Sequence, residues 1–392
     1  MDIFNFQTPT KLILGKGAIS EIGVEVKRLM AANILIVTDK VITQTGLLQK
    51  VLKPLKEEKI QFDIHDEVVP EPPFENLEEL ANKIEGKGYD LLIGVGGGSV
   101  LDAAKALSIM MTNGEDIRDL VGTNKVKTPG IPTILVPTTS GTGSEVTSNA
   151  IFTDNRDKVK KGIVSPYLLP AVAIVDAELT YTVPPAVTAA TGMDALVHAI
   201  EAYTSVKAND LTDGIALQAI KLISRSLRQA VYDKHNEKAR IDMSMGSLLA
   251  GISFGNAGVG AVHALAYPLG GKFKVPHGVA NSLLLVYVIR YNLVANLQKF
   301  AEIAEAMGER LEGLSLREAA DRALFAMATL SKDLGIPSSL REFGVSEDDI
   351  LAMAQEASQI DRLLNNNPRW LTVKEIEQIY REALEGLAAL TK

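Results

Sequence analysis

The chain has 392 residues, 46% of them hydrophobic, a net charge of −8 and no cysteine. Its length exceeds what one compact core usually organises, so we expect two domains. The missing cysteine excludes disulfides, thiolate metal ligands and sulfur nucleophiles, and an acidic chain without a basic block argues against nucleic-acid binding, which leaves a small molecule as the expected partner. The sequence shows no basic leader and no apolar stretch of the roughly 20 residues that span a bilayer, which predicts a cytoplasmic protein away from membranes.

Short β-branched runs alternate with amphipathic segments up to residue 183. The runs are ILIVT at 34–38, IQFDI at 60–64, YDLLIGV at 89–95 and IPTILVP at 131–137. Between them, apolar residues spaced by three and four at 46–57 and 76–87 predict crossover helices. The alternation predicts an α/β domain over 1–183, built on a parallel sheet.

Asp39 ends the first of these strand patterns, ILIVTD. A carboxylate there can accept hydrogen bonds from an adenosine ribose and repel the extra phosphate of NADP, which favours NAD. The alternative is a helix N-cap or a turn residue, and the adjacent Lys40 weakens the repulsion.

A glycine-rich turn follows the strand pattern YDLLIGV. Gly96, Gly97 and Gly98 leave the backbone open to close approach by an anion, and the first amides of the following helix point toward it. Ser99 is expected to cap this helix or to bind a phosphate. The turn lacks the GxGxxG pattern, and Lys105 lies too far along the helix to act as a Walker lysine. We predict a pyrophosphate site, with a tight strand-to-helix turn as the alternative.

A second polar loop, PTTSGTGSE at 137–145, follows the next strand pattern. Its hydroxyl groups can donate to phosphate or ribose oxygens of the same dinucleotide. The candidates are Thr138, Thr139, Thr142 and Ser144. Serine, threonine and glycine are also ordinary loop residues, so a loop without a ligand is the alternative.

The β-branched runs largely vanish after Pro184 and Pro185. Alanine, leucine, methionine and glutamate dominate the segments that follow, which is typical of helices. These segments are 186–204, 210–231, 238–254 and 297–308. The pattern predicts an all-helical domain over 184–392.

Asp194 and His198 stand four residues apart in the helical segment ATGMDALVHAIEAY. This spacing puts a carboxylate and an imidazole on one helix face, within reach of one cation. The neighbours are alanine, methionine, leucine and valine, among which a carboxylate is costly to bury unless it is paired or bound to a cation. The alternative is an ordinary pair on a helix face.

His263 and His277 complete a candidate set of four metal ligands with Asp194 and His198. Three neutral imidazoles and one carboxylate leave a divalent ion with residual positive charge, which suits binding an alkoxide or polarising a carbonyl. Nitrogen and oxygen donors suit iron, zinc, nickel, cobalt and manganese, so the donor set leaves the metal open. A structural role is the alternative for each histidine.

Taken in order, these motifs resemble the iron-containing (group III) alcohol dehydrogenases, within the dehydroquinate synthase-like superfamily. The resemblance covers essentially the whole chain: FQTPTKLILGKG at 6–17, GGGSVLDAAK, PTTSGTGSE, the Asp194 to His198 spacing, and the His263 and His277 segments. It implies an N-terminal dinucleotide-binding domain and a C-terminal metal and substrate domain. It also implies that the four ligands hold iron or another divalent metal at the catalytic centre.

By position, the resemblance implies a set of NAD contacts in the N-terminal half. They are Asp39, Gly97, Gly98, Ser99, Asp102, Thr138, Thr139, Thr142, Ser144, Lys160 and Val183. Lys160 corresponds to the family lysine near the nicotinamide ribose, with the adjacent Lys161 as the alternative.

Tyr267 departs from the family pattern. Many members carry HxxxH here, with the second histidine thought to relay protons, whereas this chain has a tyrosine four residues after His263. A phenol titrates near pH ~10 and cannot relay protons through an imidazolium at neutral pH. Tyr267 is therefore a catalytic candidate whose role is open, with Lys272 or ordered water as alternatives.

The expected reaction interconverts a small primary alcohol, diol or hydroxy acid and its aldehyde or ketone with NAD(H), in a homodimer or larger homo-oligomer. Two alternatives stay open. A lyase of the dehydroquinate synthase type needs a cluster of cations for its phosphorylated substrate, and the segments 149–152 and 254–267 offer mostly glycine, alanine, phenylalanine and asparagine. The second alternative is a non-catalytic nucleotide-binding protein, in which an unpaired Asp194 on an apolar helix face would cost stability without serving a metal site.

Overall fold

The computed structural model describes residues 3–114, 116–156, 159–233 and 235–386. Its contacts divide the chain into an N-terminal unit that ends at Val183 and a C-terminal unit that begins at Pro184. The large hydrophobic clusters each lie within one unit. At the boundary Pro185 opens a helix, a position that tolerates proline because the first helical amides have no partner inside the helix.

The strands that the structure describes in the N-terminal unit form two sheets. They are β1 (Lys11–Leu14), β2 (Ile34–Val37), β3 (Phe62–His65), β4 (Leu91–Gly96), β5 (Gly122–Thr123), β6 (Thr133–Pro137), β7 (Asn149–Asp154), β8 (Val159–Val164) and β9 (Val172–Val175). Six of them form a parallel sheet in the order β1-β9-β6-β4-β2-β3, and β5, β8 and β7 form a smaller sheet with an antiparallel β7–β8 pair. The four runs predicted as strands are β2, β3, β4 and β6, so the predicted parallel sheet is confirmed.

Helices cover both faces of the parallel sheet. They are α1 (Ile22–Arg28), α2 (Lys40–Gln44), α3 (Leu48–Glu57), α4 (Phe74–Ile84) and α5 (Gly98–Asn113). Ile34 and Ile36 share a core cluster with α1 and α3, whereas Leu35 and Val37 share one with α4 and α5. Because both faces are buried, the central strands are continuous apolar runs rather than alternating ones.

The strand order reverses between β2 and β4. The crossover through α3 leads from β2 outward to β3, whereas the crossover through α5 leads from β4 to β6 on the other side. Such a reversal opens a crevice at the carboxyl ends of the two strands, where doubly wound sheets bind nucleotides. Asp39 follows β2 and Gly97 follows β4, so both predicted contacts lie at this position.

Every element that the structure describes between Pro185 and Glu385 is helical, which confirms the predicted all-helical half. The helices are α6 (Pro185–Thr204), α7 (Asp210–Tyr232), α8 (Glu237–Ala257), α9 (Ala261–Phe273), α10 (His277–Asn292), α11 (Leu297–Ala306), α12 (Leu316–Asp333), α13 (Glu347–Ala357), α14 (Asp361–Leu364) and α15 (Val373–Glu385). Helix α6 packs against α7, α8 and α10. The predicted segments correspond to α6, α7, α8 and α11, and no end shifts by more than three residues.

Helix α10, which carries His277, is long and apolar. By length and composition alone, the stretch His277–Ala295, which is α10 with the turn after it, could cross a membrane. Helices α8 and α9 could do so only if they formed one broken span, with a bend of 102° between them. Most of the α10 stretch is buried inside the unit, where it packs against α6, α9 and α12. A core helix that meets neighbours on several sides is hydrophobic all round, which accounts for its composition.

Gly192 lies where α6 meets α7 and α8. A Cβ at this position would stand 2.3 Å from Cδ1 of the fully buried Leu227 and 2.9 Å from Cε of Met243. We predict that Gly192→Ala lowers the free energy of unfolding of the C-terminal unit by about 1–3 kcal/mol, the usual cost of overpacking a core. Urea unfolding followed by circular dichroism measures the loss. Gly214→Ala is the control, since no atom lies within 4 Å of its Cβ position and alanine is the better helix former; equal stabilities of the two variants would contradict the prediction.

Candidate functional site

Three helices of the C-terminal unit bring the predicted metal ligands together. Asp194 and His198 lie one turn apart on α6 and are buried. His263 lies in the first turn of α9 and is also buried. His277 is the first residue of α10, directly after Pro276, and is half-buried. The predicted set therefore converges within one unit.

The ligand atoms of three of these residues are close enough for one cation. Each of Asp194, His263 and His277 offers one ligand atom, and these three atoms lie within 4.8 Å of one another. Nε2 of His263 lies 3.9 Å from Oδ1 of Asp194. His198 contacts the group through its ring, which stacks on the ring of His263 with centroids 4.7 Å apart and planes at 22°. The ring of His198 also stacks on the ring of Phe254, with centroids 4.2 Å apart. The fourth predicted ligand thus adjoins the cluster of three.

The charge of Asp194 is stabilised by the imidazoles around it. Burial alone would raise the pKa of this carboxyl, but His198, His277 and His263, together with a hydrogen bond from Asn281, outweigh burial and hold the pKa below its ordinary value. Asp194 is 2% exposed and lies on an apolar helix. The cluster therefore presents a charged oxygen donor in a place where charge needs a cationic partner.

The residues present fit a divalent metal ion. Nε2 of His263 is buried and has no hydrogen-bond partner among the described residues. Imidazole nitrogen and carboxylate oxygen are donors that first-row divalent ions prefer, and thiolates are absent from the chain. An orphaned buried nitrogen beside a buried carboxylate is the arrangement that such an ion would satisfy.

Glu201 lies behind His263 and is a residue that the sequence reasoning does not identify. Its Oε2 lies 2.6 Å from Nδ1 of His263, and its Oε1 accepts the backbone N–H of Val262 at 2.7 Å. A signal does exist in the sequence, because Glu201 follows Asp194 by seven residues and so shares its helix face. That signal does not say which histidine the carboxylate meets, since His263 is on another helix.

Asn281 is the second polar neighbour that the sequence reasoning does not identify. Its Nδ2 donates to Oδ1 of Asp194 at 2.7 Å and lies 3.1 Å from Nε2 of His277, one turn earlier on α10. These contacts need α10 to approach α6 closely. Gly278 permits the approach, because a Cβ there would lie 2.7 Å from the backbone oxygen of Ala190.

Tyr267 lies one turn beyond His263 on α9 and is half-buried. Its hydroxyl oxygen accepts a hydrogen bond from Nη2 of the exposed Arg362 at 3.4 Å. Lys272, the alternative proton carrier, is instead held in an ion pair with Asp349. The hydrogen bond from Lys272 is the main reason that the pKa of Asp349 falls to about 2. The roles of Tyr267 and of Lys272 in proton transfer both stay predictions.

The glycines of the turn after β4 have different roles. A Cβ at Gly98 would lie 2.6 Å from Cγ2 of Thr142, so packing inside the protein requires this glycine. Gly97 is the N-cap of α5, with φ −76° and ψ −176°, and a Cβ there would meet Thr139 at 3.6 Å, an ordinary contact. Neither backbone nor packing requires glycine at position 97. Close approach of an anion to the amides of α5 would require it.

Ser99 does not cap α5, so that part of the prediction is wrong. Its Oγ accepts the backbone N–H of Glu71 at 3.0 Å, and Gly97 occupies the N-cap position. The serine lies inside the first turn, where its side chain reaches the neighbouring segment rather than the helix amides. Its hydroxyl hydrogen is still available, so the phosphate contact stays a prediction.

The second polar loop is fastened to the sheet and to α5. The N–H of the buried Thr138 donates to the backbone oxygen of Gly96 at 2.9 Å. Oγ of Ser144 donates to Asp102, whose other oxygen accepts the N–H of Ile151 at 2.9 Å. The predicted nucleotide contacts Ser144 and Asp102 are thus partnered with each other, which favours a supporting role for these two side chains.

Lys105 holds the same loop from inside the protein. Its buried Nζ donates to the backbone oxygen of Ser144 at 2.9 Å and lies 3.2 Å from Oδ1 of Asp102. Burial lowers the pKa of Lys105, although Asp102 opposes the shift. Burial likewise raises the pKa of the neighbouring Glu145 to about 7. Lys105 is therefore a buried support for the loop, in agreement with its exclusion as a Walker lysine.

Asp39 and Val183 both lie at turns of the N-terminal unit. Oδ1 of Asp39 accepts a hydrogen bond from the N–H of Ile42 at 2.9 Å, so Asp39 is the N-cap of α2, which is the alternative given for it in the sequence analysis. A carboxylate has a second oxygen, and the ribose contact stays a prediction. The N–H of Val183 donates to the backbone oxygen of Thr180 at 3.1 Å, and its nucleotide contact likewise stays a prediction.

The two candidate lysines of β8 have different partners. Nζ of Lys160 lies 3.2 Å from Oε2 of Glu71, whose backbone N–H donates to Oγ of Ser99 in the first turn of α5. Nζ of Lys161 pairs with Asp154 at 2.7 Å. Lys160 is therefore the lysine that the structure links, through Glu71, to the start of α5, and its contact with the nicotinamide ribose stays a prediction.

Two family descriptions match most of the chain. The description "Iron-containing alcohol dehydrogenase" matches residues 9–177. The description "Fe-containing alcohol dehydrogenase family, C-terminal" matches residues 188–384. The two matches fall in the N-terminal and C-terminal units respectively.

Relatives of known activity match over nearly their whole length. The 1,3-propanediol dehydrogenase of Citrobacter freundii is 45% identical over 97% of this chain and 99% of its own length. The NAD-dependent methanol dehydrogenase of Bacillus methanolicus is 41% identical over 97% of this chain and 100% of its own length. The crystal structure of a 1,3-propanediol oxidoreductase matches with a TM-score of 0.95 and 44% identity, covering 98% of this chain and 100% of that chain. In agreement with the resemblance, the chain belongs to the iron-containing alcohol dehydrogenase family.

Proposed function

We propose that this enzyme interconverts a small primary alcohol, diol or hydroxy acid and its aldehyde or ketone, with NAD(H) carrying the hydride and one divalent metal, iron, at the C-terminal cluster. The observation that carries the proposal is the convergence of Asp194, His263 and His277, with ligand atoms within 4.8 Å, in a chain of this family. The N-terminal unit supplies the nucleotide site at the turn after β4 and at Asp39.

The residues of the cluster would hold the ion and the substrate oxygen. Asp194, His198, His263 and His277 are the proposed ligands, and ring stacking with Phe254 and His263 fixes the orientation of His198. When bound, such an ion supplies Lewis acidity that favours the alkoxide of an alcohol and polarises the carbonyl of an aldehyde. No side chain is required as a nucleophile, which agrees with the missing cysteine.

The proposed substrate is small. The relatives named above act, by their names, on methanol and 1,3-propanediol. In this chain the ring of Phe254 lies against His198 and gives the surroundings of the cluster an apolar wall. An apolar wall beside one polar group suits a short carbon chain with one reacting oxygen.

We propose that Tyr267 takes part in the proton route in place of the family's second histidine. Its hydroxyl is hydrogen-bonded to an exposed arginine, which links it toward solvent. Tyr267→Phe removes only the hydroxyl, and kcat should fall by up to about 10²-fold, the lower end of general acid–base contributions, while NADH affinity is unchanged. An unchanged kcat in steady-state assays from about pH 6 to about pH 9, on both sides of neutrality, would remove Tyr267 from the catalytic residues.

The proposed preference for NAD depends on the charge of Asp39. We predict that Asp39→Asn improves kcat/KM with NADP relative to NAD by roughly tenfold, because one exposed charge pair is worth about 1 kcal/mol or more. Asparagine keeps an oxygen for the cap of α2, so the stability should hardly change, whereas Asp39→Ala should also cost about 1 kcal/mol. Steady-state rates with both dinucleotides measure the ratio. An unchanged ratio in both variants would show that Asp39 does not select the cofactor.

We also propose a cytoplasmic homodimer or larger homo-oligomer whose partner is the small substrate alone, with no nucleic acid or membrane. The missing cysteine suits a reducing compartment, and the net charge of −8 disfavours a polyanion. The burial of most of the α10 stretch accounts for its apolar composition without a membrane. Light scattering on the purified protein tests the oligomeric state.

The decisive experiment is elemental analysis after anaerobic purification, combined with NADH formation from methanol, 1,3-propanediol and 2- and 4-hydroxy acids. We expect one iron per chain and net NADH formation that a chelator abolishes and Fe(II) restores. Absence of bound metal together with absence of NADH formation would refute the proposal. Turnover of a phosphorylated sugar acid without net NADH would indicate the lyase instead.

A further inference from the structure

We infer that Glu201 is a positioning residue that makes His263 a competent metal ligand, by fixing the tautomer whose Nε2 carries no hydrogen and by balancing the second charge of the ion. The inference rests on the proposed function, since it concerns the ion held at that site. It goes beyond it because Glu201 acts through His263, from behind the ring.

Both oxygens of Glu201 are engaged by specific donors. Oε2 meets Nδ1 of His263 at 2.6 Å and Oε1 accepts the backbone N–H of Val262 at 2.7 Å. The carboxylate is 3% exposed, and its ion pair in the described part of the chain is with His263 rather than with lysine or arginine. Gly260 makes room for it, because a Cβ there would lie 3.3 Å from Oε1. The protein thus builds a fitted place for a buried carboxylate.

The hydrogen bonds determine which nitrogen of His263 faces the cluster with a lone pair. An ionised carboxylate only accepts hydrogen bonds, so Nδ1 of His263 must donate to Glu201. In the neutral ring Nε2 then carries the lone pair. This Nε2 is the buried atom without a hydrogen-bond partner among the described residues, 3.9 Å from Oδ1 of Asp194. A carboxylate behind a ligating histidine orients the ring and raises its basicity in many metal sites.

The formal charges at the site would cancel with a divalent ion bound. Asp194 and Glu201 contribute two negative charges within one buried region, and a divalent ion contributes two positive charges. An uncompensated ion in a protein interior carries a large desolvation penalty. Glu201 therefore balances the ion without occupying one of its coordination positions, which leaves a position for the substrate oxygen.

The geometry predicts a specific failure for Glu201→Gln. Glutamine has one acceptor oxygen, and the N–H of Val262 can only donate, so the amide oxygen is drawn to Val262 and the amide NH₂ to His263. Nδ1 of His263 must then accept, and the hydrogen moves to Nε2, where it blocks the metal. The variant keeps the shape of the side chain and reverses the tautomer.

The test measures metal affinity directly, separately from turnover. The metal is removed from wild type and Glu201→Gln, and Co(II) is titrated back in competition with a chelator while the cobalt absorption spectrum is recorded. We expect Kd for Co(II) to rise by about 10–100-fold in Glu201→Gln, with an altered spectrum and a metal-free Tm close to that of wild type. Glu302→Gln is the matched control. Glu302, on α11, accepts a hydrogen bond from the phenol of Tyr203, which lies on the same helix as Glu201. This substitution should leave the Kd for Co(II) unchanged.

A second measurement needs no variant. Nitrogen NMR of ¹⁵N-histidine-labelled, metal-free wild type should show one buried histidine with its hydrogen on Nδ1, absent from the spectrum of His263→Ala. The inference is overturned if that ring carries its hydrogen on Nε2, or if Glu201→Gln binds Co(II) with the Kd and spectrum of wild type. Failure of wild type itself to bind Co(II), Zn(II) or Fe(II) would instead refute the proposed function, so the two failures are distinguishable.

Discussion

Replacing His263 with alanine should abolish turnover of a short primary alcohol while NADH still binds. His263 supplies the unpartnered Nε2 of the cluster and contacts His198 through ring stacking, so its loss removes a donor and unsettles a second one. We expect kcat to fall by at least about 10²–10³-fold, the loss that follows removal of a single group that stabilises developing charge in a transition state. NADH binding should persist, because every predicted nucleotide contact belongs to the N-terminal unit. Steady-state NADH formation, iron content and NADH fluorescence titration measure the three quantities.

The control is the same substitution at His235, an exposed histidine in the turn between α7 and α8. It should change neither the iron content nor kcat. Retained turnover in His263→Ala would exclude this metal site. Loss of NADH binding in the same variant, with its Tm lowered, would show that the substitution disturbs the fold rather than the chemistry.

The metal site illustrates how far a sequence pattern reaches. Asp194 and His198 are predictable because both lie on one helix, where a spacing of four residues fixes their common face. His263 and His277 are candidates only through their sequence contexts and the family resemblance, since no local rule says that α9 and α10 meet α6. Glu201 shares the face of Asp194 by spacing, yet its partner is set by the crossing of two helices. Local periodicity does not predict contacts between helices that are distant in the sequence.

The fold shows the same division. The strands β2, β4 and β6 are predictable because burial on both faces makes them continuous apolar runs. The antiparallel β7–β8 pair is not, because β8 has the sequence VKKGIV, in which lysines pair with Glu71 and Asp154 instead of alternating with buried residues. Likewise, three successive glycines look alike in a sequence, although only contacts show that Gly98 is required for packing and Gly97 is not.

That difference gives the second large effect: Gly97→Ala should weaken NADH binding without weakening the fold. The backbone at Gly97 is in a conformation that any residue adopts, and the added methyl group would make an ordinary contact with Thr139 at 3.6 Å. The methyl group would, however, stand where the proposed pyrophosphate would approach the amides of α5. Loss of one hydrogen bond to a charged group is worth about 1.5–3 kcal/mol, so Kd for NADH should rise by roughly 10–100-fold. Fluorescence titration with NADH measures Kd, and urea unfolding measures stability.

Gly98→Ala is the comparison that separates ligand approach from packing. Its methyl group would lie 2.6 Å from Cγ2 of Thr142, so this variant should lose about 1–3 kcal/mol of stability in the N-terminal unit. If Gly97→Ala binds NADH as tightly as wild type, the dinucleotide does not lie against this turn and the proposed nucleotide site is wrong. If it loses stability as Gly98→Ala does, position 97 is a packing glycine. Only weakened binding on an intact fold fits an anion held by the first amides of α5, because that is the one arrangement in which the missing side chain serves a ligand rather than the protein.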